Sequence, residues 1–240
     1  MTVTGGTTDW TYADSGVAVD PAFGDVHGDA WRRLGECGTW WTGAERVAIL
    51  AEARAAAGCE LCREQKAAVS PNAVRGDHSR SPEGSVLSND AVEAAHRISS
   101  DPGRLARGWV GSMCEALGEE PYVELAAIVA TRYAIDGFAL ALGTALRPLP
   151  AAGHGEPSRV RPDDVGDVGA FVSQSLDKTL ANVSRAASLV PDTADIWRGV
   201  VKQQYSRGPE FAQLVWDRPL QRPQVELIAA TVSKMNECFY

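Results

Sequence analysis

A pair of cysteines separated by two residues is the feature of this sequence best able to carry chemistry. Cys59 and Cys62 follow Gly58, a residue that tolerates the backbone conformation of a helix break. If a new helix begins at Cys59, the two sulfurs lie one turn apart, close enough to form a disulfide. Free backbone N–H groups in that first turn stabilise a thiolate and lower its pKa, and Arg63 adds a cation on the same face. The spacing therefore predicts a dithiol that cycles between thiol and disulfide.

Two other interpretations of this pair remain open. Cys59 and Cys62 lie in an alanine-rich stretch and are also compatible with two small buried core residues. A zinc site is the third interpretation, with Cys37 and His78 completing a set of four ligands, although a second closely spaced pair is missing. Cys114 stands alone in the sequence and is interpreted as a core residue.

A second thiol lies at the far end of the chain. The segment from Pro223 onward reads as a helix that carries Glu226 early and delivers Cys238 twelve residues later. On one straight helix this spacing corresponds to about 18 Å, too far for contact. If the helix breaks at Asn236 and folds back, the Glu226 carboxyl can face the thiol and move its proton. The alternative is an exposed glutamate in a first helical turn, where it interacts favourably with the helix dipole.

The terminal segment has a relative inside the chain. Val123-Glu124-Leu125 and the residues after it align with Val225-Glu226-Leu227 at an offset of 102 residues, from 226 − 124. Asp136 stands in the internal copy where a cysteine would be needed, so that copy is not expected to do thiol chemistry. A weaker third match runs from Val47 to Cys62. Duplication of a helical unit explains the pattern, as does the use of similar helix formers in two buried helices.

Composition and charge restrict the class of protein. The chain has 240 residues, 45% hydrophobic and 22% charged, with a net charge of −8, which is typical of a soluble globular protein and argues against nucleic-acid binding. No apolar run is long enough to span a bilayer, and the polar stretch 1–12 lacks the pattern of a secretory signal. Five cysteines without an export signal are expected to be reduced, so we expect a cytoplasmic protein without a membrane partner.

Hydrophobic periodicity predicts an all-α fold, a helical bundle with internally repeated units. Residues 1–26 read as an irregular N-terminal segment and residues 27–240 as a single all-α domain, with a proline-rich connector at 146–169. Thr42 and Glu45 have the spacing of a capping box, and the apolar segment that starts at Glu120-Pro121 is predicted to be the central buried helix. The other predicted helices are a short one at 29–34, two divided at Gly58, and further ones at 91–98, 101–117, 171–189, 193–205 and the terminus. Residues 72–88 are predicted to be a loop.

The terminal residues resemble those of the alkylhydroperoxidase D-like, or carboxymuconolactone decarboxylase-like, proteins. The family pattern is a glutamate, a Cys-x-x-Cys beginning twelve residues later, and a histidine four residues after the second cysteine. Glu226 and Cys238 fit the first half of this pattern, and residues 120–145 are similar to a degenerate copy. The resemblance implies an all-α fold that usually forms homo-oligomers, with a peroxidase or disulfide-reductase activity. Lys66 stands where the family pattern would place a histidine after Cys59-x-x-Cys62.

By this resemblance Cys238 is a redox residue and Glu226 a proton relay, while the second redox residue and the histidine would follow Tyr240. A selenocysteine encoded by UGA and read as a stop is our hypothesis for the missing position. A stop codon other than UGA, or no following frame that encodes a histidine within a few residues, would rule this hypothesis out.

The sequence thus predicts a thiol- or selenol-dependent peroxidase or disulfide oxidoreductase, impaired at the present length. The predicted catalytic residues are Cys238 and Glu226, with Cys59 and Cys62 as an auxiliary dithiol, and no metal or other cofactor is predicted. The predicted partners are a peroxide substrate and a thiol reductant, either a protein or a small thiol. The alternative is a non-enzymatic helical protein that senses redox conditions or binds partners. Decarboxylation of a lactone, suggested by the family's second name, would leave the cysteines without a role.

Overall fold

Nine α-helices account for most of the chain in the part that the structure, a computed structural model, describes: residues 10–205 and 219–235. The first six are α1 (Pro21–Gly35), α2 (Gly43–Ala55), α3 (Glu60–Ala67), α4 (Asn89–Ser100), α5 (Arg107–Leu117) and α6 (Glu119–Ala141). The remaining helices are α7 (Asn182–Arg185), α8 (Pro191–Gln204) and α9 (Arg222–Met235). Short 3-10 turns lie at Ala56–Gly58, Pro71–Ala73, Glu83–Val86 and Pro102–Arg104. The chain is therefore mostly helical, as predicted.

Helix α6 is the centre of the bundle and contacts α2, α4, α5 and α8. Its inner face includes Leu125 and Ile128, both fully buried, which pack in one core with Ile49 and Leu50 of α2. This confirms the prediction that the segment after Glu120 forms the central buried helix. Helix α2 begins as predicted, since the Thr42 hydroxyl accepts from the Glu45 N–H at 3.3 Å and the Glu45 carboxylate accepts from the Thr42 N–H at 2.9 Å.

The first helix begins earlier than the predicted short helix at 29–34, and the assignment of residues 21–26 to an irregular segment was wrong. The Asp20 carboxylate accepts from the Ala22 N–H at 3.0 Å, and Pro21 occupies the first helical position. Asp-Pro is a turn signal, but it is equally the N-cap and first residue of a helix.

The predicted helix at 171–189 was also wrong. A two-residue antiparallel ladder pairs β1 (Val165–Gly166) with β2 (Gln174–Ser175), and only the four residues of α7 are helical in that stretch. The Asp177 carboxylate accepts from the Thr179 N–H at 2.9 Å, a turn that competes with the helix. Strand β1 lies at the end of the predicted connector, whose remaining residues are irregular.

Among the described helices longer than four residues, only α9 has no buried residue. Leu227 and Met235 are 69% and 79% exposed. Within the described ranges, none of the helices combines the length and the apolar character that crossing a bilayer requires.

Candidate thiol centre

Cys59 occupies the N-cap position of α3, where the sequence predicted a helix start. Its backbone is extended, with φ −77° and ψ 126°, and its carbonyl accepts from the Arg63 N–H at 3.2 Å. Its sulfur accepts hydrogen bonds from the Cys62 N–H and, at 3.4 Å, from the Ser79 N–H. Cys62 lies in the first turn of the same helix, so both thiols project from one helix start.

The loop after α3 brings His78 to both sulfurs. Its Nδ1 lies 3.4 Å from the Cys59 Sγ and 3.5 Å from the Cys62 Sγ. Its Nε2 donates to a Glu93 carboxylate oxygen at 2.7 Å, while the other Glu93 oxygen accepts from the Trp109 indole N–H at 3.2 Å. A carboxylate on Nε2 fixes that nitrogen as a donor and directs Nδ1 at the thiols, with which it can exchange a proton.

A second imidazole approaches Cys62 from α4. The His96 Nδ1 lies 3.2 Å from the Cys62 Sγ, and its Nε2 is 2.8 Å from a carboxylate oxygen of Glu52 on α2. The other Glu52 oxygen accepts from the Ser81 N–H at 3.0 Å. Gly84 is required beside this carboxylate, because a Cβ there would lie 1.5 Å from a Glu52 oxygen. The two histidines thus have equivalent surroundings, each with sulfur on one side and a carboxylate on the other.

Hydrogen bonding favours a thiolate at Cys59. Burial opposes the charged form, but the N–H donors of Cys62 and Ser79, together with His78, lower the pKa of Cys59 to about 7. Burial likewise opposes protonation of His78, yet its bonds to Cys62 and Glu93 raise its pKa to about 10. The bond from His78 holds the pKa of Glu93 below its ordinary value despite burial. In the absence of metal these three groups form a chain of thiolate, imidazolium and carboxylate.

His96 has a different electrostatic role. Burial lowers the pKa of His96, and the nearby His78 lowers it further, while Glu52 acts in the opposite direction. A neutral His96 can accept a proton from the Cys62 thiol at its Nδ1. The centre therefore contains a stabilised thiolate and, at the second cysteine, a proton acceptor.

A cavity of about 510 Å³ lies against this centre. His78 and Glu93 form part of its wall, with Leu61, Val92, Trp109 and Met113 as its main apolar lining. Both sulfurs lie behind His78, and each cysteine is only 2% exposed. A small molecule in the cavity is separated from the thiols by His78, whereas a protein surface cannot reach them in this conformation.

The zinc ligand set considered from the sequence was wrong in one member. Cys37 lies elsewhere, with its sulfur 3.9 Å from the Trp41 carbonyl, and burial raises the pKa of its thiol. Within the described residues, the group that gathers is Cys59, Cys62, His78 and His96. Cys114 packs against the main core, in agreement with its interpretation as a core residue, and burial raises its pKa to about 11.

The predicted terminal site is only partly described. Glu226 is exposed on α9, where its carboxylate lies 3.5 Å from the Arg222 guanidinium. Cys238 lies outside the described residues, so its pairing with Glu226 stays a prediction. Glu124, the equivalent of Glu226 in the internal copy, is fully buried and accepts from the Trp40 N–H at 2.6 Å.

Sequence reasoning missed His96, Glu52 and Glu93. Glu52 was detectable in part, because it is the one acidic residue in the alanine-rich stretch 48–57 before Cys59. His96 lies 34 residues from Cys62 and 44 from Glu52, and no local pattern joins residues so far apart.

Comparisons with protein-family models, curated proteins and solved structures give no match for this chain. The resemblance to the alkylhydroperoxidase D-like proteins therefore remains a prediction based on residue types and spacing.

Proposed function

We propose that Cys59 and Cys62 are a redox-active dithiol that reduces small peroxides and is regenerated by a thiol reductant. The observation that carries the proposal is the pairing of two thiols, one helical turn apart, with two histidines that are each held by a carboxylate. A thiol needs a place for its proton before it can act as a nucleophile, and this arrangement supplies one beside each sulfur.

The proposed reaction begins at Cys59 and ends with a disulfide. The Cys59 thiolate attacks a peroxide oxygen, the O–O bond breaks, and the leaving oxygen takes a proton from His78, so an alcohol or water departs as Cys59 becomes a sulfenic acid. Cys62 gives its proton to His96, attacks the Cys59 sulfur and displaces water, which forms the disulfide. Two thiols and one peroxide thus yield one disulfide, one alcohol and one water. Two equivalents of a thiol reductant return the pair to its reduced form.

Burial of the sulfurs limits the substrate to small molecules. A peroxide fits the cavity of about 510 Å³ whose wall includes His78, whereas a folded protein disulfide does not reach sulfurs that are 2% exposed. Peroxidase activity is therefore favoured over reduction of protein disulfides.

The resemblance noted in the sequence gives this proposal further support. The family pattern combines a glutamate, two cysteines and a histidine, and Lys66 appeared to leave Cys59 and Cys62 without a base. His78 and His96 supply that base from the following loop and from α4. The same residue types are therefore present, with different spacing.

Cys238 and Glu226 enter the proposal as a second redox site with its proton relay, by resemblance alone. The geometry described above neither requires nor opposes a contribution from Cys238 to turnover at the first pair. Replacement of Cys238 by serine tests whether the two sites act together.

Turnover of an organic hydroperoxide by the metal-free full chain, with a small thiol as reductant, tests the proposal. We expect Cys59→Ser and Cys62→Ser to abolish protein-dependent peroxide consumption, while Cys114→Ser, the matched replacement of a cysteine outside the centre, retains it. Equal consumption by all three variants would contradict the proposal.

A non-enzymatic redox sensor is the second candidate function, and the burial of both sulfurs favours it. Buried thiols react slowly, and a single oxidation that alters packing suffices for sensing. In this case peroxide oxidises the thiols once per chain and added reductant gives no sustained consumption. Repeated turnover in the presence of reductant excludes the sensor.

A further inference from the structure

Two sulfurs and two imidazole nitrogens converge on one point in the structure. The ligand atoms of Cys59, Cys62, His78 and His96 all lie within 4.8 Å of one another, and the two histidine rings are 4.2 Å apart. The His78 Nδ1 contacts both sulfurs directly, without another residue between them. Two cysteines and two histidines are a common donor set for zinc.

Three of the six distances between the donors are close to those of a tetrahedron around a zinc ion. With Zn–S bonds of about 2.3 Å and Zn–N bonds of about 2.0–2.1 Å, tetrahedral geometry requires ligand atoms separated by about 3.3–3.8 Å. The recorded sulfur–nitrogen distances are 3.2, 3.4 and 3.5 Å. An ion can therefore be accommodated once the remaining donor pairs, all within 4.8 Å, close to the same range.

The carboxylates behind the histidines orient them as metal ligands require. Glu93 and Glu52 each bind an Nε2–H, which leaves both Nδ1 lone pairs directed at the shared centre. Such carboxylate–histidine pairs accompany zinc sites and increase the basicity of the ligand. Both carboxylates are anchored in turn, Glu93 by Trp109 and Glu52 by Ser81.

A zinc ion at this point would connect two hydrophobic clusters of the fold. Cys59, Cys62, Leu61 and Ala56 form a small apolar cluster with Val74 that is separate from the main core. A metal held by α3, the following loop and α4 joins this satellite cluster to the bundle. With four protein ligands the coordination is closed, which is typical of structural zinc rather than catalytic zinc.

We infer that Cys59, Cys62, His78 and His96 bind one zinc ion in a closed Cys2His2 site that joins α3 and the loop after it to α4. Zinc binds both cysteines as thiolates, and disulfide formation oxidises both thiolates. The zinc-bound and disulfide forms therefore exclude each other. This last consequence rests on the proposed dithiol function, while the metal site itself does not.

Metal content of the purified full chain tests the site. We expect one zinc per chain in the wild type and in Cys37→Ser/Cys114→Ser, and loss of zinc in Cys59→Ser/Cys62→Ser. Helicity measured by circular dichroism shows whether the last variant folds. Zinc that is absent from the wild type even after incubation with Zn²⁺, or retained in Cys59→Ser/Cys62→Ser, would overturn the inference.

Cobalt substitution in the wild type makes the test independent of folding in any variant. Tetrahedral Co²⁺ with two thiolate ligands gives intense visible bands and sulfur-to-metal charge-transfer absorption in the near ultraviolet, and we expect both, with displacement by Zn²⁺. Absence of the charge-transfer absorption would contradict ligation by the cysteines.

A matched pair of glutamate variants tests the role of the carboxylates. Glu93→Gln is expected to weaken Zn²⁺ binding by about 10–100-fold because the acceptor of the His78 Nε2–H loses its negative charge, while the exposed Glu60→Gln on α3 leaves it unchanged. Equal affinities would contradict the assignment of His78 as a ligand.

The redox function and the metal site fail separately in these experiments. Zinc binding without disulfide formation in the metal-free protein leaves the metal site standing and removes the dithiol function. A peroxide-induced disulfide in a chain that binds neither Zn²⁺ nor Co²⁺ has the reverse meaning and overturns the metal site.

Discussion

The same three residues, Val-Glu-Leu, occur in α6 and in α9 with opposite surroundings. In α6, Glu124 and Leu125 are fully buried, and Glu124 accepts hydrogen bonds from Trp40 and Thr193. In α9, Leu227 is 69% exposed and Glu226 faces solvent beside Arg222. Similar local sequence thus gives a helix in both places, but the packing of neighbouring elements determines what its carboxylate can do.

The contrast extends to the thiol sites. At Cys59 and Cys62, three elements of the bundle (the loop after α3, helix α4 and helix α2) provide two histidines at the sulfurs and a carboxylate behind each histidine. At the terminal site the described carboxylate, Glu226, has solvent around it. Histidines and carboxylates therefore surround the thiols in the helical bundle, whereas α9 is exposed. We expect substitutions in the bundle to have large effects on reactivity and stability, and substitutions in α9 to have small ones.

The largest expected difference concerns thiol oxidation. Cys59→Ser should abolish peroxide-induced disulfide formation at the first pair, because one sulfur is missing, whereas Cys238→Ser should leave its rate unchanged. Stopped-flow oxidation followed by alkylation of the remaining thiols measures both rates. A Cys238→Ser protein in which peroxide no longer oxidises Cys59 and Cys62 would show that the terminus is part of the same centre.

Removal of the Glu52 carboxylate should destabilise the protein much more than removal of the Glu226 carboxylate. Glu52→Ala leaves His96 Nε2–H and the Ser81 N–H without their buried acceptor, so we expect a loss of about 3–5 kcal/mol in the free energy of unfolding. Glu226→Ala removes only an exposed ion pair and should change it by less than about 0.5 kcal/mol. Urea denaturation of both variants provides the values, and equal losses would contradict the burial described for Glu52.

The two aligned leucines, Leu125 and Leu227, should also differ in their contribution to stability. Leu125→Ala creates a cavity in the main core and should destabilise the protein by about 2–5 kcal/mol. Leu227→Ala removes an exposed side chain, with an expected effect within about 0.5 kcal/mol. Thermal denaturation followed by circular dichroism distinguishes these outcomes. A large effect of Leu227→Ala would show that α9 is covered in solution.

Acid should also destabilise the folded protein, because His27 is buried and resists protonation. Its Nδ1 bonds to the Tyr12 hydroxyl at 2.7 Å, and burial lowers its pKa to about 4 from an ordinary value of about 6.5. Between these pH values the unfolded chain takes up a proton that the folded chain excludes, so stability falls as the pH decreases, by about 3 kcal/mol at pH 4.

Urea denaturation from pH 7 to pH 4 measures this dependence, with His27→Gln as the control. The variant should lose this part of the pH slope, whatever its stability at pH 7. An unchanged slope would show that His27 is not the group responsible.

Local signals predicted the parts of the fold that depend on neighbouring residues. The capping box of Thr42 and Glu45, the helix start at Cys59 and the apolar length of α6 were all apparent in the sequence. Asp20-Pro21 was misread because the same dipeptide begins either a turn or a helix. The prediction of a helix at 171–189 failed because the turn at Asp177 and the pairing of β1 with β2 outweigh helix propensity.

Of the thiol centre, residue spacing in the sequence identified only the two cysteines. Their spacing identified the pair, and His78 was proposed as a ligand, but the fourth member was assigned to Cys37 instead of His96. That choice depends on α4 packing beside α2, which places Glu52 and His96 in contact across 44 residues. Such contacts belong to the tertiary fold, so residue spacing cannot reveal them.

The claim that Cys59 and Cys62 act as a pair is tested most directly by peptide mapping of the metal-free full chain after peroxide treatment. Cleavage after Arg54 and Arg63 places both cysteines in the single peptide 55–63, while Cys37, Cys114 and Cys238 fall in other peptides. We predict that peptide 55–63 loses two hydrogens, resists alkylation until a reductant is added, and changes before the other three. Alkylation of both cysteines after peroxide treatment, or a disulfide from either of them to another peptide, would contradict the account.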